Sequence, residues 1–235
     1  MTVLITRPEP EATSFANLCR ERGLGVIISP LLTIHDLDRT VDLTGVGCLA
    51  FTSINGVRVF VQNHSERKLP VFVVGKGSGE VAKALGFENV RMANGDVESL
   101  GRLIAAQHNC ENGAALHCAG ATRAGDLVKL LHEQHINGHR EVLYEARPNA
   151  ALSAAAISAL KVQRSIKSVA LFSPRSADLF LDVVRKSDLA DALAGIRAAC
   201  LSDAVAARLT YSNWKSVEVA ARRDTDAIVE LLANG

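Results

Sequence analysis

Leu49-Ala50-Phe51-Thr52-Ser53-Ile54-Asn55-Gly56-Val57-Arg58-Val59-Phe60 is one half of a repeated phrase. The other half is Ala170-Leu171-Phe172-Ser173-Pro174-Arg175-Ser176-Ala177-Asp178-Leu179-Phe180-Leu181. In each, a short apolar run ends at a phenylalanine and passes through a hydroxyl residue. Apolar residues at helical spacing follow. Strand, hydroxyl-bearing turn and helix is the unit with which α/β proteins build ligand sites at the carboxyl ends of strands. Phe51 and Phe172 lie roughly one domain length apart. Two such units predict two similar lobes serving one ligand.

Outward from these turns the same alternation continues. Val3 to Thr6 reads as a buried strand, with Pro8 and Pro10 marking the turn into a helix that carries Ala12, Phe15, Ala16 and Cys19. Further strands are predicted at 47–52, 71–75, 89–93, 113–118, 141–146, 168–172, 197–201 and 216–221. Helices are predicted near 55–63, 77–86, 97–107, 122–135, 150–162, 175–186, 203–210 and 225–233. This βαβα order implies parallel sheets covered by helices on both faces. About ten strands divide most naturally into two five-stranded sheets. The stretch from Val26 to Ile34 is extended but broken by Ser29-Pro30, which excludes it as a continuous central strand. Proline-bearing stretches at Ile28–Asp36 and Val142–Asn149 are the candidate crossings between lobes. Crossings there make residues 1–33 with 149–235 one discontinuous domain that holds both termini, and residues 38–142 an inserted second domain.

Composition narrows the function. The chain has 235 residues, 48% apolar and 22% charged, which argues for a folded protein with a sizeable core. A formal net charge of +1 gives no global field for nucleic acid or acidic membranes. Nothing approaches membrane-spanning length, and Met1 to Arg7 reads as a strand rather than a basic leader. The five cysteines (Cys19, Cys48, Cys110, Cys118 and Cys200) are scattered without a C-x-x-C pair. They read as reduced core residues of a cytoplasmic protein.

Conventional catalytic motifs are missing. Gly75-Lys76-Gly77-Ser78-Gly79 follows a predicted strand and opens a helix, as an anion-facing turn would. Glu80 stands where the dinucleotide fingerprint needs glycine, and no P-loop Gly-Lys-Ser/Thr follows. His132 and His135 share a predicted helix face, but Asn137-Gly138 ends that helix before His139, leaving a zinc site short of ligands. No metal is expected. No Gly-x-Ser-x-Gly elbow frames a serine, and no acidic pair marks the strand ends.

The predicted strand ends are instead hydroxyl-rich and basic. Arg7 follows the first strand, and Thr52 and Ser53 the next. Lys76 and Ser78, then Gly120 and Arg123, follow two more. Ser173, Arg175, Ser176 and Ser202 do the same in the second half. Singly, each is most often a helix N-cap. Together they describe a donor-rich, acid-poor site suited to a carboxylate- or phosphate-bearing ligand.

At these residues the chain resembles the uroporphyrinogen-III synthase family. The matching pieces are Val3-Leu4-Ile5-Thr6-Arg7-Pro8, Phe51-Thr52-Ser53, and Val74-Gly75 with Ala84-Leu85-Gly86-Phe87. They continue with Leu116-His117-Cys118-Ala119-Gly120 and Arg123, Tyr144-Glu145-Ala146-Arg147-Pro148, and Phe172-Ser173-Pro174. The chain departs from the pattern at Leu201-Ser202-Asp203-Ala204-Val205, which lacks the family's glycine and threonine, and at Arg222-Arg223-Asp224-Thr225. The resemblance implies two flavodoxin-like or Rossmann-like α/β lobes joined by a two-stranded ladder at about 29–37 and 142–149, with the active site in the cleft. It also implies a cofactor-free lyase that dehydrates and cyclises hydroxymethylbilane with inversion of ring D. Tyr144 is then the catalytic candidate. Arg7, Thr52, Ser53, Gly75, Lys76, Ser78, Gly120, Arg123, Ser173, Arg175, Ser176 and Ser202 are the candidates for holding the substrate's carboxylates. The expected partner is this small polycarboxylate alone, bound by a monomer, with no nucleic acid and no membrane. Two alternatives stand beside it: a non-enzymatic two-lobe protein that closes on a small anion, and a nucleotide- or flavin-binding protein using Gly75 to Gly79.

Overall fold

Every residue from Val46 to Phe51 is buried, and alternate side chains enter different cores. Leu49 and Phe51 join one, Cys48 and Ala50 the other. A strand covered on both faces reads as an unbroken apolar run, and this is why the sequence announces a parallel sheet here. Each fully buried large side chain of this kind contributes roughly 1.5–3 kcal/mol.

The computed structural model describes residues 1–122, 125–209 and 213–234. Among them the chain runs β1 (Thr2–Ile5), α1 (Glu11–Glu21), β2 (Gly25–Ile28), β3 (Leu32–Asp36), β4 (Val46–Phe51), α2 (Ile54–Asn63) and β5 (Val71–Val73). It continues with α3 (Lys76–Ala84), β6 (Val90–Met92), α4 (Val97–Gln107), β7 (Ala114–Gly120), α5 (Leu127–Glu133) and β8 (Gly138–Pro148). The last part holds α6 (Ala154–Lys161), β9 (Ile166–Leu171), α7 (Pro174–Lys186), β10 (Arg197–Cys200), α8 (Asp203–Ala206), β11 (Ser216–Val219) and α9 (Thr225–Ala233).

Two compact units result: Met1–Thr33 with Arg147–Gly235, and Ile34–Ala146. The first is built on a five-stranded sheet in the order β11-β10-β9-β1-β2, parallel throughout. Helices α1 and α9 cover one face through Phe15, Cys19, Ile228 and Leu232. Helices α6, α7 and α8 cover the other through Leu160, Phe180, Val184 and Val205. The second unit is built on a six-stranded sheet in the order β3-β8-β7-β4-β5-β6. Helices α2 and α3 lie on one face, and α4 and α5 on the other.

The sixth strand differs from the expected five and five. Ser29-Pro30 cuts the single extended stretch into β2 and β3, which enter different sheets. Strand β3 pairs with β8, and hydrogen bonds from Leu37 N–H to the Leu143 carbonyl and from Asn149 N–H to the Leu31 carbonyl run in opposite chain directions. Helices α5 and α6 also begin later than the helix-favouring sequence suggests, because side-chain caps fix their starts. Asp126 accepts from Lys129 N–H at 3.2 Å and Ser153 from Ala156 N–H at 3.3 Å. Ahead of Ser153, Asn149 donates to the Pro30 carbonyl at 2.7 Å, and Ser153 N–H to Ser29 Oγ at 2.8 Å, holding that segment out of the helix.

Candidate active site

Counted within its own unit, the five-stranded sheet has the order second, first, third, fourth, fifth, which reverses between β1 and β9. Ligands of open α/β sheets bind outside the carboxyl ends of the strands at such a reversal. Thr6-Arg7 follows β1, and Phe172-Ser173 follows β9. Thr6 Oγ1 donates to the Ala170 carbonyl at 3.2 Å, tying the two strand ends together. The Arg7 guanidinium lies 4.1 Å from the Phe172 ring centroid, and Phe172 meets Phe15 edge-on at 5.0 Å. Burial lowers the Arg7 pKa, and the charge of Glu11 acts in the opposite sense. The guanidinium stays protonated regardless. Ser173 caps α7, accepting from Ser176 N–H at 3.1 Å, and its Oγ is 2.8 Å from Ser176 Oγ. Arg175 is half-buried in the first turn of α7. Ser202 occupies the N-cap position of α8 without making a capping bond.

The six-stranded sheet reverses between β4 and β7. Thr52 and Ser53 leave β4 there, and Gly120 ends β7. Thr52 Oγ1 is 3.0 Å from His117 Nε2. Ser53 caps α2, accepting from Asn55 N–H at 3.2 Å. The next turn of α2 sits so close to β7 that a Cβ on Gly56 would lie 2.9 Å from the Cys118 carbonyl oxygen. At the end of β7 the register shifts so that Gly120 pairs with Tyr144, and a Cβ on Gly120 would lie 2.7 Å from the Tyr144 ring. Ala121 N–H donates to the Tyr144 carbonyl at 2.8 Å, while Arg140 donates to the carbonyls of Gly120 and Ala121. Tyr144 is buried, its ring laid over a strand end that only glycine allows.

In the Gly75 turn one glycine also serves packing. Gly75 caps α3 with extended backbone that any residue adopts. A Cβ on Gly79 would lie 2.4 Å from Met92 Sδ, so this glycine serves the packing of α3 on β6. Ser78 is buried, and exposed Lys76 pairs with Glu80 at 3.7 Å. Arg123 lies outside the described residues.

The repeated phrase is offset by one residue. Ser53 and Ser173 are the equivalent N-caps, so Thr52 corresponds to Phe172 and Phe51 to Leu171. Matching the two phenylalanines in sequence therefore pairs a core residue with a strand-end residue. At the true equivalent position one unit places a hydroxyl against a histidine, and the other a ring beneath a guanidinium.

Other sequence expectations resolve locally. His135 has φ 57° beyond the end of α5, so it does not share a helix face with His132. His132 Nε2 bonds the Gly138 carbonyl at 2.9 Å, and His108 Nε2 the Gly113 carbonyl at 2.9 Å. Four cysteines are buried as expected, but Cys110 is exposed on a short 3-10 turn. No helix among the described residues is long and apolar enough to cross a membrane. His117 and Phe172 contact the candidates Thr52 and Arg7, and strand-end reading does not single them out. The available signal for His117 is its place inside the apolar run Ala114-Ala115-Leu116-His117-Cys118-Ala119-Gly120, where a ring nitrogen needs a partner.

The family model described as Uroporphyrinogen-III synthase HemD matches residues 13–230. The chain belongs to the uroporphyrinogen-III synthase family. A putative uroporphyrinogen-III synthase of Methanocaldococcus jannaschii is 33% identical over 90 residues. That alignment takes in 35% of this chain and 38% of the relative, so the chain spans little more than a third of the curated relative it matches. The fold is shared with the crystal structure of uroporphyrinogen-III synthetase from Helicobacter pylori 26695, at TM-score 0.67, 16% identity, and coverage of 99% of this chain and 98% of that one. A mutant uroporphyrinogen III synthase from the extremely thermophilic bacterium Thermus thermophilus aligns at TM-score 0.58 and 16% identity, over 100% of this chain and 98% of that one. Both sheet reversals fall largely within the family match, with Arg7 alone among the candidates preceding it.

Proposed function

We infer that this chain catalyses the reaction of its family, the conversion of hydroxymethylbilane to uroporphyrinogen III. In that reaction the hydroxymethyl C–O bond breaks and water leaves. A new C–C bond then joins the hydroxymethyl carbon to the substituted carbon of ring D, giving a spiro-pyrrolenine. The bond from this ring carbon to the ring C bridge breaks and re-forms at ring D's free carbon, a proton leaves, and ring D is inverted. The family match across residues 13–230 carries the reading. Its chemical support is the character of the two sheet reversals, which offer Arg7, Thr52, Ser53, Ser173 and Ser176 and the N-termini of α2 and α7. Such donors and helix-start amides favour carboxylates. We assign the substrate's acetate and propionate groups to these residues together with Gly75, Lys76, Ser78, Gly120, Arg123, Arg175 and Ser202.

The uncatalysed bilane closes without inversion, to the type I isomer. The main task is then to hold a flexible substrate so that the correct carbon of ring D attacks. Tyr144 assists departure of the hydroxyl by hydrogen bonding, since a phenol is too weak an acid for full proton transfer near neutrality. The working state in this reading is a cytoplasmic monomer, and its scattered free cysteines suit a reducing compartment. Product isomers formed from fresh hydroxymethylbilane test the reading: type III product above the spontaneous rate supports it, and type I alone refutes it.

A further inference from the structure

We propose that His117 is a positioning residue for Thr52, fixing the direction in which the Thr52 hydroxyl donates its proton to a substrate carboxylate. The proposal rests on the functional reading above and adds a residue to it.

Strand β7 is buried along its whole length, and His117 is its one strongly polar side chain. An imidazole placed there costs free energy unless its nitrogens are bonded. His117 is the register partner of Ala50, two residues before Thr52, so the imidazole and the Thr52 side chain rise from the same face of adjacent strands. They meet at 3.0 Å between Oγ1 and Nε2, at the point where the sheet order reverses. The imidazole is buried, whereas Thr52 is only half-buried and remains accessible.

A hydroxyl is both donor and acceptor, and its proton rotates to suit its neighbours. When Nε2–H donates to Oγ1, the Thr52 proton is left to point outward, where it can donate to an anion. When Oγ1 donates to Nε2, only lone pairs face the anion. The first arrangement binds a carboxylate and the second repels it. His117 therefore does its work through Thr52, in the Nε2–H tautomer, without touching substrate. In the other unit the position equivalent to Thr52 holds Phe172 beneath Arg7, so there a ring takes the hydroxyl's place beside a different donor.

The test is a set of variants assayed with hydroxymethylbilane: Thr52→Val, His117→Gln, His117→Asn and the double variant Thr52→Val/His117→Asn. A glutamine amide reaches the position of Nε2, whereas an asparagine amide reaches only that of Nδ1. Thr52→Val and His117→Asn should each raise KM roughly fivefold, the loss of about one net hydrogen bond, with kcat within about twofold. The double variant should be no worse than the worse single one. His117→Gln should stay within about twofold of wild type. Multiplying losses, or equal behaviour of the Gln and Asn variants, would overturn the assignment. If His117→Asn fails to fold, Thr52→Val and His117→Gln still decide: an unchanged KM in the first, or a raised one in a folded second, overturns it. Type I product alone from wild-type protein would overturn the functional reading itself and with it this assignment. Type III product with multiplying losses overturns only the role of His117.

Discussion

Gly120 and Tyr144 are register partners whose contact leaves no room for a β-carbon: one built on Gly120 would lie 2.7 Å from the tyrosine ring. The ring is only 7% exposed, so it has little freedom to swing aside. Gly120→Ala should therefore displace Tyr144 and the β7 end together. Overpacking of this sort costs about 1–3 kcal/mol, readable as a lower urea midpoint. Turnover should fall at least tenfold. Tyr144→Phe keeps the ring and removes only the hydroxyl, so it should slow turnover with the urea midpoint held close to wild type. Full activity in both variants would remove the pair from the reaction.

A second expectation concerns Arg7 and Phe172. The ring 4.1 Å below the guanidinium holds a cation that burial has partly stripped of water. Cation–π contacts of this kind contribute about 0.5–2 kcal/mol. Phe172→Leu should keep the packing against Phe15 and weaken the aim of Arg7, raising KM for hydroxymethylbilane roughly threefold to tenfold. Arg7→Lys should do at least as much, because the ammonium lacks the planar fork that meets a carboxylate with two bonds. Steady-state kinetics at fixed salt will show whether kcat stays near wild type as KM rises.

The sequence revealed most of the secondary structure for a simple reason. Strands such as β4 and helices such as α9 carry their own period, and burial on both faces makes the strand runs continuous. What it concealed depends on contacts between distant residues. Val26–Ile34 is one extended run in sequence, and nothing local says that its two halves join different sheets. Phe51 and Phe172 look equivalent because both precede a hydroxyl. The equivalence that counts is between the capping serines, and it appears only once the helix starts are known. Of the candidate donors, Thr52, Ser53 and Ser173 were legible as strand-end residues. The contacts between Thr52 and His117, and between Gly120 and Tyr144, arise from strand pairing and have no local signature.

At the amino end of β10, opposite the carboxyl ends of the strands, Arg197 braces the first unit. Its guanidinium donates to the Leu232 carbonyl at 3.0 Å, and approaches Glu218 and Ser168 Oγ at 3.4 Å each. It thus ties α9 to the sheet. Arg197→Leu strands the Leu232 carbonyl and should cost about 2–3 kcal/mol. Urea unfolding at neutral pH should show the loss, with KM unchanged in the folded protein.

Buried thiols predict a pH dependence. Burial pushes Cys48 and Cys200 up to about 12 and Cys19 up to about 11, from an ordinary 9.0. Because the folded values lie above the unfolded ones, their stabilising effect is intact below pH 9. It declines as pH rises from there toward the folded values, since only the unfolded chain releases those protons readily. The urea midpoint should fall between pH 8 and pH 10.5, and fall less steeply in Cys48→Ala. At pH 8 under native conditions, a maleimide should label Cys110 much faster than the four buried thiols.

The assignment of this chain as a working synthase is tested most directly by the isomer composition of product made from hydroxymethylbilane at enzyme concentrations that outrun spontaneous closure. The expected product is predominantly uroporphyrinogen III, formed at a rate proportional to the protein added. Uroporphyrinogen I alone, at a rate indifferent to the protein, would contradict it.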